Sequence, residues 1–166
     1  MSNYIKEDET LDDLQNGYHL IQKKDGFRFG VDAVLLADFA DIKSNSKVID
    51  MGTGTGIIPI LLYARNKPKS IIGIEIQSDM AEMAERSILY NKLEDSIEIR
   101  NMDLKEASLI LGKSEFDAVV SNPPYVARKA GINNPDMKKA VARFELMCTL
   151  EDVVQSGKSL LKSGGK

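Results

Sequence analysis

The sequence has very few of the residues that metal sites and nucleophilic catalysts most often use. Its 166 residues include one histidine, His19, and one cysteine, Cys148. A single histidine leaves almost no material for a histidine-based metal site or for Ser-His catalysis, so we expect no bound metal. A single cysteine allows no internal disulfide, which is typical of a protein of the reducing cytosol. We therefore predict a cytoplasmic protein in which Cys148 is a small apolar residue on a helix face.

Long apolar runs and an excess of positive charge are also missing. The longest apolar run, around residues 57–64, is far shorter than the roughly 18 residues that a membrane-spanning helix needs. The amino terminus is acidic at residues 7–9 and lacks the apolar core of a signal peptide. A net charge of −3 argues against a protein that binds nucleic acid over its whole surface. We expect no membrane contact, and any contact with nucleic acid must come from a local patch.

Strand and helix patterns alternate along most of the chain. The composition, 43% hydrophobic and 28% charged, is that of an ordinary soluble globular domain. Strands are predicted at residues 47–51, 70–75, 96–100 and 116–121. Helices are predicted at residues 57–65, 78–91, 103–111, 137–146 and 149–161, with caps at Ser78 or Asp79, at Asp103 with Glu106, and at Thr149. This alternation predicts an α/β fold over residues 46–166, a Rossmann-like doubly wound parallel sheet with right-handed crossovers.

Residues 1–45 are expected to form a small hairpin and helix that pack on this core. Residues 18–23 and 27–29 read as two strands joined by a turn at residues 24–26, and residues 1–17 read as a loop with one helical turn near residues 11–14. Asp32 is placed to cap a helix that runs to about Ala40. Leu35, Leu36 and Phe39 are expected to face inward.

The carboxyl terminus stops where another strand normally begins. Gly164-Gly165-Lys166 follows a helix pattern and would lead into a fifth core strand. A sheet that stopped there would leave an open edge, which natural proteins avoid. We therefore expect the domain at residues 46–166 to lack carboxyl-terminal strands.

A glycine-rich turn follows the first core strand and opens the first core helix. Gly52, Gly54 and Gly56 allow close approach between the backbone and a ligand. The dinucleotide fingerprint would want a small residue at position 57, where Ile57 stands, which weakens a nicotinamide reading without excluding it. Because no P-loop lysine follows the glycines, the pattern argues against a nucleoside triphosphatase.

Three acidic residues lie at or just beyond the ends of three successive strands, and all would line one edge of the sheet: Asp50, Glu75 and Asp103. Glu75 can accept two hydrogen bonds from a ribose diol, and Asp103 can accept one from an adenine amino group. Asp50 and the glycine amides can meet a positive amino-acid tail. Acidic groups suit the sulfonium cation of S-adenosylmethionine and suit a pyrophosphate poorly. For Asp103, a helix cap is an equally good interpretation.

Asn122-Pro123-Pro124-Tyr125 follows the last predicted strand, at the end where open α/β sheets place their ligands. The Asn122 side chain and the Pro123 carbonyl are hydrogen-bond acceptors, Pro124 stiffens the turn, and Tyr125 has a flat face for stacking. Two acceptors beside an aromatic ring suit a planar NH₂ group. Accepting both N–H bonds turns the lone pair of that nitrogen toward an electrophile and stabilises the developing positive charge. A proline-rich turn without chemistry is the alternative.

These motifs together resemble a known family. The tetrapeptide at residues 122–125 resembles the signature of amino-methyltransferases, which act on adenine N6, cytosine N4, guanine N2 or a glutamine amide. With residues 50–56, Glu75 and Asp103, it resembles the class I S-adenosylmethionine-dependent methyltransferases of the small-domain type. Residues 30–36 are similar to the segment that packs against the methionine end of the cofactor. From about residue 14 to residue 165 the pattern is most similar to the bacterial tRNA(Val) adenine-N6 methyltransferases, which modify an adenine beside the anticodon.

The resemblance implies the cofactor S-adenosyl-L-methionine and two sets of site residues. The implied catalytic residues are Asn122, Pro123, Pro124 and Tyr125. The implied cofactor-binding residues are Gly30, Asp32, Asp50, Gly52, Thr53, Gly54, Gly56, Glu75, Ile76, Asp103, Leu104 and Asn122.

The resemblance also implies methyl transfer to the N6 atom of an anticodon-loop adenine in tRNA. Two basic groups are placed to contact RNA phosphates: Lys23, Lys24 and Arg28 in the amino-terminal hairpin, and Arg128, Lys129, Lys138, Lys139 and Arg143 after the tetrapeptide. For any single one of them, a solvated surface position is the simpler interpretation. Open alternatives are an rRNA or DNA amino-methyltransferase, a protein-glutamine N-methyltransferase, and a fragment that binds the cofactor or RNA without turnover.

Overall fold

The secondary structure alternates as the sequence predicts. The computed structural model describes residues 4–26, 28–123 and 148–166. Its strands are β1 Glu9–Asp13, β2 His19–Lys23, β3 Lys47–Met51, β4 Ser70–Glu75, β5 Ile97–Asn101 and β6 Ala118–Val120. Its helices are α1 Val31–Phe39, α2 Ile57–Asn66, α3 Ser78–Tyr90, α4 Ala107–Ile110 and α5 Leu150–Leu160, and a 3-10 turn, Leu104–Glu106, precedes α4. The helix predicted at residues 137–146 lies outside the described residues.

The main sheet is parallel, with the strand order β5-β4-β3-β6. The chain moves outward from β3 to β4 and β5 and then returns to place β6 on the other side of β3. Asp50 of β3 pairs with Gly73 of β4 and with Val120 of β6. The order therefore reverses between β3 and β6, and a sheet of this kind has its ligand crevice beyond the carboxyl ends of those two strands.

Both faces of the sheet are buried, as is usual for a parallel sheet. Val48 packs with α1 and α2 in one apolar cluster, while its neighbour Ile49 packs with α4 and Leu160 of α5 in a second cluster on the other face. This alternation follows from the two-residue period of a strand. Helices cover both faces, which confirms the predicted Rossmann-like α/β fold. In the described ranges, no helix is both long and apolar enough to cross a membrane.

The amino-terminal hairpin differs from its prediction. The partner of β2 is β1, at residues read as a loop, and residues 28 and 29 form no strand. The sequence of β1 is polar, but its polar groups have partners elsewhere. Glu9 is buried beneath Arg86 of α3, with an Oε2–Nη1 distance of 2.6 Å. Tertiary pairing of this kind is invisible to a hydrophobic pattern.

Helix α1 buries only part of the face predicted. Leu36 is partly buried and packs against the core as predicted, but Leu35 and Phe39 are 61% and 88% exposed. The small residues Ala33 and Ala37 form the rest of the buried face. Asp32 is not the cap: it lies inside the helix, and Gly30 stands at the cap position.

The other predicted caps have mixed outcomes. Thr149 caps α5 as predicted, in a reciprocal pair with Asp152. Neither Ser78 nor Asp79 caps α3, because the cap position falls on Gln77, which makes no side-chain capping bond. Asp103 does cap, but it accepts from the Lys105 N–H and forms no box with Glu106.

The last residues of the chain run beside β6. The Val119 N–H donates to the Lys166 carbonyl at 2.9 Å, and the Lys166 N–H donates to the Asp117 carbonyl at 3.1 Å. Phe116 forms a parallel bridge with Leu161. The outer edge of β6 is therefore hydrogen-bonded to Lys166 at residues 117 and 119.

Candidate functional site

The glycine turn after β3 exposes backbone to the crevice. Gly52, Gly54 and Gly56 have φ angles of 77°, 57° and 84°, a region that side-chain-bearing residues seldom occupy. A Cβ atom on Gly52 would meet no atom within 4 Å, so a ligand can lie against the main chain there. A Cβ atom on Gly56 would lie 3.3 Å from the Cβ of Ala84. Gly56 therefore serves the packing of α3, while Gly52 and Gly54 leave room for a ligand.

Gly73 is a supporting residue that the sequence analysis missed. It lies in β4 beside Asp50, and a Cβ atom there would lie 2.9 Å from the Thr53 hydroxyl and 2.9 Å from the Ile99 side chain. Because Gly73 has no side chain, the side chain of Thr53 fits beside it. A glycine inside an otherwise apolar strand is the signal that could have found it.

Glu75, at the end of β4, is tied to the glycine turn. One of its carboxylate oxygens accepts from the Gly54 N–H at 3.0 Å, and the other accepts from the Gln77 N–H at 2.9 Å. Each carboxylate oxygen can accept more than one hydrogen bond, so Glu75 can still accept from a diol. The carboxylate is buried and held in one orientation.

Asn101, at the end of β5, fixes the segment after Glu75 and was not predicted. Its side-chain N–H groups donate to the carbonyl oxygens of Glu75 at 2.8 Å and Ile76 at 3.0 Å. The side chain of Ile76 is 41% exposed beside this clamp. A polar residue at a strand end is too common a feature for the sequence alone to select Asn101.

Asp50 is the most unusual group in the site. It is fully buried, and within the described part of the chain neither of its carboxylate oxygens has a hydrogen-bond partner. Burial raises the pKa of Asp50 to about 7, opposed by the Thr53 hydroxyl and reinforced by the charge of Glu75. A buried carboxylate without a partner is costly, and a cation placed nearby would offset that cost. This environment fits the positive amino-acid end of S-adenosylmethionine.

Asp103 and Leu104 follow β5 at the same edge of the sheet. The Asp103 carboxylate accepts from the Lys105 N–H at 2.9 Å and lies 3.4 Å from the Lys105 Nζ atom. The helix-cap interpretation is therefore realised, and a contact with adenine stays a prediction. The Leu104 side chain is buried in the core with Ala107.

Asn122 lies two residues beyond the end of β6, the strand that pairs with β3. Ser121 holds the start of this segment to β3, because its hydroxyl donates to the Met51 carbonyl at 2.7 Å. The Asn122 amide nitrogen donates to the Asp32 carboxylate at 2.6 Å, which joins the first turn of α1 to the same place. Pro124 and Tyr125 lie outside the described residues.

The basic residues of the amino-terminal hairpin have partners within the chain. The Lys23 Nζ atom lies 2.6 Å from a carboxylate oxygen of Asp8, and Arg28 pairs with Asp12. Lys24 donates to the Glu7 carbonyl at 2.6 Å. A paired cation attracts a phosphate less strongly than a free one. The second predicted group lies outside the described residues: Arg128, Lys129, Lys138, Lys139 and Arg143.

Comparison with known proteins identifies the family. The methyltransferase small domain family matches residues 24–166, and the chain belongs to that family. Its fold is that of the class I S-adenosylmethionine-dependent methyltransferases, as the resemblance implies, and S-adenosylmethionine is the cofactor that the family indicates.

Curated relatives are named tRNA1(Val) (adenine(37)-N6)-methyltransferase. The protein of that name from Porphyromonas gingivalis is 33% identical over 145 residues, which cover 84% of this chain and 56% of the relative. The protein of that name from Bacteroides thetaiotaomicron is 30% identical over 143 residues, covering 86% of this chain and 58% of the relative. The chain thus spans less than two thirds of the length of these relatives.

A solved structure shares the fold at low sequence identity. The crystal structure of Pyrococcus horikoshii TYW2 in complex with MeSAdo has a TM-score of 0.65 and 20% identity, and the match covers 95% of this chain and 50% of the other. This likeness supports the fold alone.

Proposed function

We propose that the protein transfers a methyl group from S-adenosylmethionine to the exocyclic N6 atom of an adenine in tRNA, beside the anticodon of tRNA(Val). The observation that carries this proposal is the position of Asn122 at the carboxyl end of β6, where its side chain bonds Asp32 and its neighbour Ser121 bonds Met51. The glycine turn starts directly after Met51. In this proposal the glycine turn that binds the cofactor follows β3 and the amine-binding groups follow β6, the two strands that border the crevice.

The cofactor side is formed by β3 and β4. S-adenosylmethionine supplies an electrophilic methyl group on a positively charged sulfur. Glu75 would accept hydrogen bonds from the ribose hydroxyls, with its orientation set by Gly54 and Gln77. Asp50 would face the positive amino-acid end, and Ile76 would contact the adenine ring. In this proposal the cofactor lies against the backbone at Gly52, where the lack of a side chain leaves room for it.

The amine side is formed by the segment after β6. The Asn122 side-chain oxygen and the Pro123 carbonyl would each accept one N–H bond of the target amino group, and Tyr125 would stack on the base. With both N–H bonds held, the nitrogen lone pair is less delocalised into the ring and faces the methyl donor. Catalysis then depends mainly on holding the reacting atoms about 3–3.5 Å apart. The methylated nitrogen is cationic and releases its proton readily, so no strong general base is required.

An anticodon-loop adenine can enter this site at a low free-energy cost. Its base is partly unstacked already, so turning it into a pocket costs less than extracting a base from a duplex. The relatives named above support adenine in tRNA as the substrate. We assign the phosphate contacts to the basic residues after the tetrapeptide, together with any hairpin cations that RNA can draw from their partners.

The basic residues after the tetrapeptide can be tested by salt dependence. Replacing Arg128, Lys129 and Arg143 with alanine is expected to weaken tRNA binding and to flatten its dependence on salt, because fewer counterions are released. Cofactor affinity is the internal control, and it should not change. Unchanged RNA binding at every salt concentration would remove this group from the proposed interface.

The substrate itself is tested by deleting the gene and analysing nucleosides. Mass spectrometry of bulk tRNA, rRNA and DNA from the deletion strain should show the loss of N6-methyladenosine from tRNA(Val) alone. Complementation with the wild-type gene should restore it, and complementation with Asn122→Ala should not. Loss of the methyl group from rRNA or DNA would instead support one of those alternative substrates, and unchanged nucleosides with a lost methyl group in peptide mass spectrometry would support a protein glutamine.

A further inference from the structure

The hydrogen bond between Asp32 and Asn122 has a direction that bears on the chemistry. The two residues are 90 positions apart in the chain, and the Asn122 Nδ2 atom donates to the Asp32 Oδ2 atom at 2.6 Å. An ionised carboxylate can only accept hydrogen bonds, whereas an amide has a donating end and an accepting end. The bond is therefore compatible with one orientation of the amide, with its nitrogen toward Asp32.

Asp32 is itself held where this bond requires it. It lies in the first turn of α1, and its other carboxylate oxygen occupies the space beside Gly30 that a Cβ atom would need. The side chain at position 30 must therefore be absent for Asp32 to adopt this position. Two of the residues implied by the resemblance, Gly30 and Asp32, are thus linked to Asn122.

We propose that Asp32 is a positioning residue for the methyl-accepting amine: it fixes the amide of Asn122 so that its carbonyl oxygen is the end that accepts from the substrate. This inference rests on the proposed function, and it gives Asp32 a role different from the cofactor contact that the resemblance implies. If the amide turned over, it would present its NH₂ group to the NH₂ group of the substrate, and two donors cannot bond each other. Charge-assisted bonds are stronger than neutral ones, so Asp32 strongly disfavours that orientation.

The geometry distinguishes two substitutions. Asp32→Ala removes the bond and frees the amide to rotate. Asp32→Asn keeps the size of the side chain and can still bond Asn122, but it can donate as well as accept, so both amide orientations become possible. Asp38→Asn is a matched control, because Asp38 is an exposed aspartate in the last turn of the same helix and pairs with Arg65.

The kinetic experiment measures kcat for methyl transfer to tRNA and the Kd for S-adenosylmethionine in these variants. Asp32→Ala is expected to lower kcat about 10- to 100-fold, the loss of a hydrogen bond to a charged group, with an unchanged cofactor Kd. Asp32→Asn should lie between wild type and Asp32→Ala, and Asp38→Asn should match wild type. A weaker cofactor Kd with an unchanged kcat at saturation would overturn the proposal and make Asp32 a cofactor contact. Full activity in Asp32→Asn would also overturn it.

A second measurement does not depend on activity. The side-chain NH₂ resonances of Asn122, identified by their loss in Asn122→Ala, should include one proton shifted by its bond to the carboxylate. Asp32→Ala should remove this shift and Asp38→Asn should keep it. Resonances that are the same in Asp32→Ala and wild type would overturn the positioning role. Wild-type protein that methylates no tRNA but shows the shifted proton would contradict the proposed function while leaving the orientation of Asn122 established.

Discussion

The Gly54 N–H donates to the Glu75 carboxylate across 3.0 Å, which joins the glycine turn after β3 to the acidic end of β4. The Gln77 N–H donates to the other carboxylate oxygen at 2.9 Å. Glu75 is buried, and these two backbone amides donate to its carboxylate. One side chain therefore sets the shape of the turn and keeps further acceptor capacity for a ligand.

Glu75→Gln should weaken cofactor binding more than it weakens folding. A glutamine has one accepting end and one donating end, so it cannot accept from both Gly54 and Gln77. We expect the Kd for S-adenosylmethionine to rise about 10- to 100-fold, as measured by calorimetry. Glu85→Gln, on the exposed side of α3, is the control and should bind as wild type does. Equal affinities in the two variants would remove Glu75 from the cofactor site.

Gly56→Ala should destabilise the fold beyond the cost of its backbone conformation. Gly17 provides the comparison, because its φ angle of 87° is close to the 84° of Gly56, but a Cβ atom on Gly17 would meet nothing within 4 Å. Gly17→Ala should cost about 1–2 kcal/mol of unfolding free energy from the left-handed backbone alone. Gly56→Ala should cost about 1–3 kcal/mol more, because its methyl group would press on Ala84 of α3. Denaturant unfolding of both variants checks this, and equal losses would contradict the packing role.

Asp50 should make the protein less stable as pH rises from about 4 to about 7. Its pKa in the folded state is raised to about 7 by burial, above its ordinary value of 3.8. Between these two values the folded state holds a proton that the unfolded state has lost, so stability falls as pH rises from about 4 to about 7, by a few kcal/mol. Asp50→Asn should remove this fall, whereas Asp95→Asn, an exposed change, should keep it. Urea unfolding at several pH values would refute the argument if the curves for wild type and Asp50→Asn run parallel.

The raised pKa of Asp50 also predicts that cofactor binding releases a proton. A cation bound near Asp50 favours its ionised form, so binding S-adenosylmethionine near pH 6 should release close to one proton. Calorimetry in buffers of different ionisation enthalpy measures that number directly. Asp50→Asn should release none. Binding without proton release in the wild type would show that the positive end of the cofactor lies elsewhere.

The Glu9–Arg86 pair should stabilise the protein above about pH 4.5 and lose its effect in acid. Hydrogen bonds from Arg86 hold the pKa of Glu9 at about 2, below its ordinary value of 4.5, and the carboxylate is buried. Stability from this pair is therefore fully present above pH 4.5 and is lost as pH falls toward 2. Arg86→Met should cost about 1.5–3 kcal/mol at pH 7, because the buried Glu9 carboxylate loses its hydrogen bonds from Arg86 and keeps the Lys6 N–H and the Lys23 Nζ atom at 3.5 Å.

The exposed pair between Arg100 and Glu98 is the control for Arg86→Met, and Arg100→Met should cost less than about 1 kcal/mol. Chemical unfolding at pH 7 and pH 3 compares the two variants. If Arg86→Met lost no more stability than Arg100→Met at pH 7, the amino-terminal hairpin would not depend on the Glu9–Arg86 pair.

The central strands were predictable because their signals are local. The apolar run ending at Asp50, the three glycines after it and the run before Asn122 each carry their own pattern, and the parallel order follows from the alternation. The edge of the sheet at which the candidate site lies was also predictable, because the carboxyl ends of parallel strands meet at one edge.

The amino-terminal part was not predictable in this way, because its structure depends on distant partners. In the polar strand β1, Glu9 is buried, and it bonds Arg86, 77 residues along the chain. Helix α1 packs through Ala33 and Ala37 and leaves Phe39 outside, the reverse of what side-chain hydrophobicity predicts. The hydrogen bond from Asn122 to Asp32 likewise joins two distant parts of the chain, 90 residues apart.

The most direct test of the central claim is methyl transfer by the purified protein from labelled S-adenosylmethionine to unmodified tRNA(Val). We predict that the label appears as N6-methyladenosine beside the anticodon, and that Asn122→Ala abolishes transfer even at saturating S-adenosylmethionine. Transfer by Asn122→Ala at the wild-type rate, or label on a ring nitrogen or a carbon atom, would contradict the account.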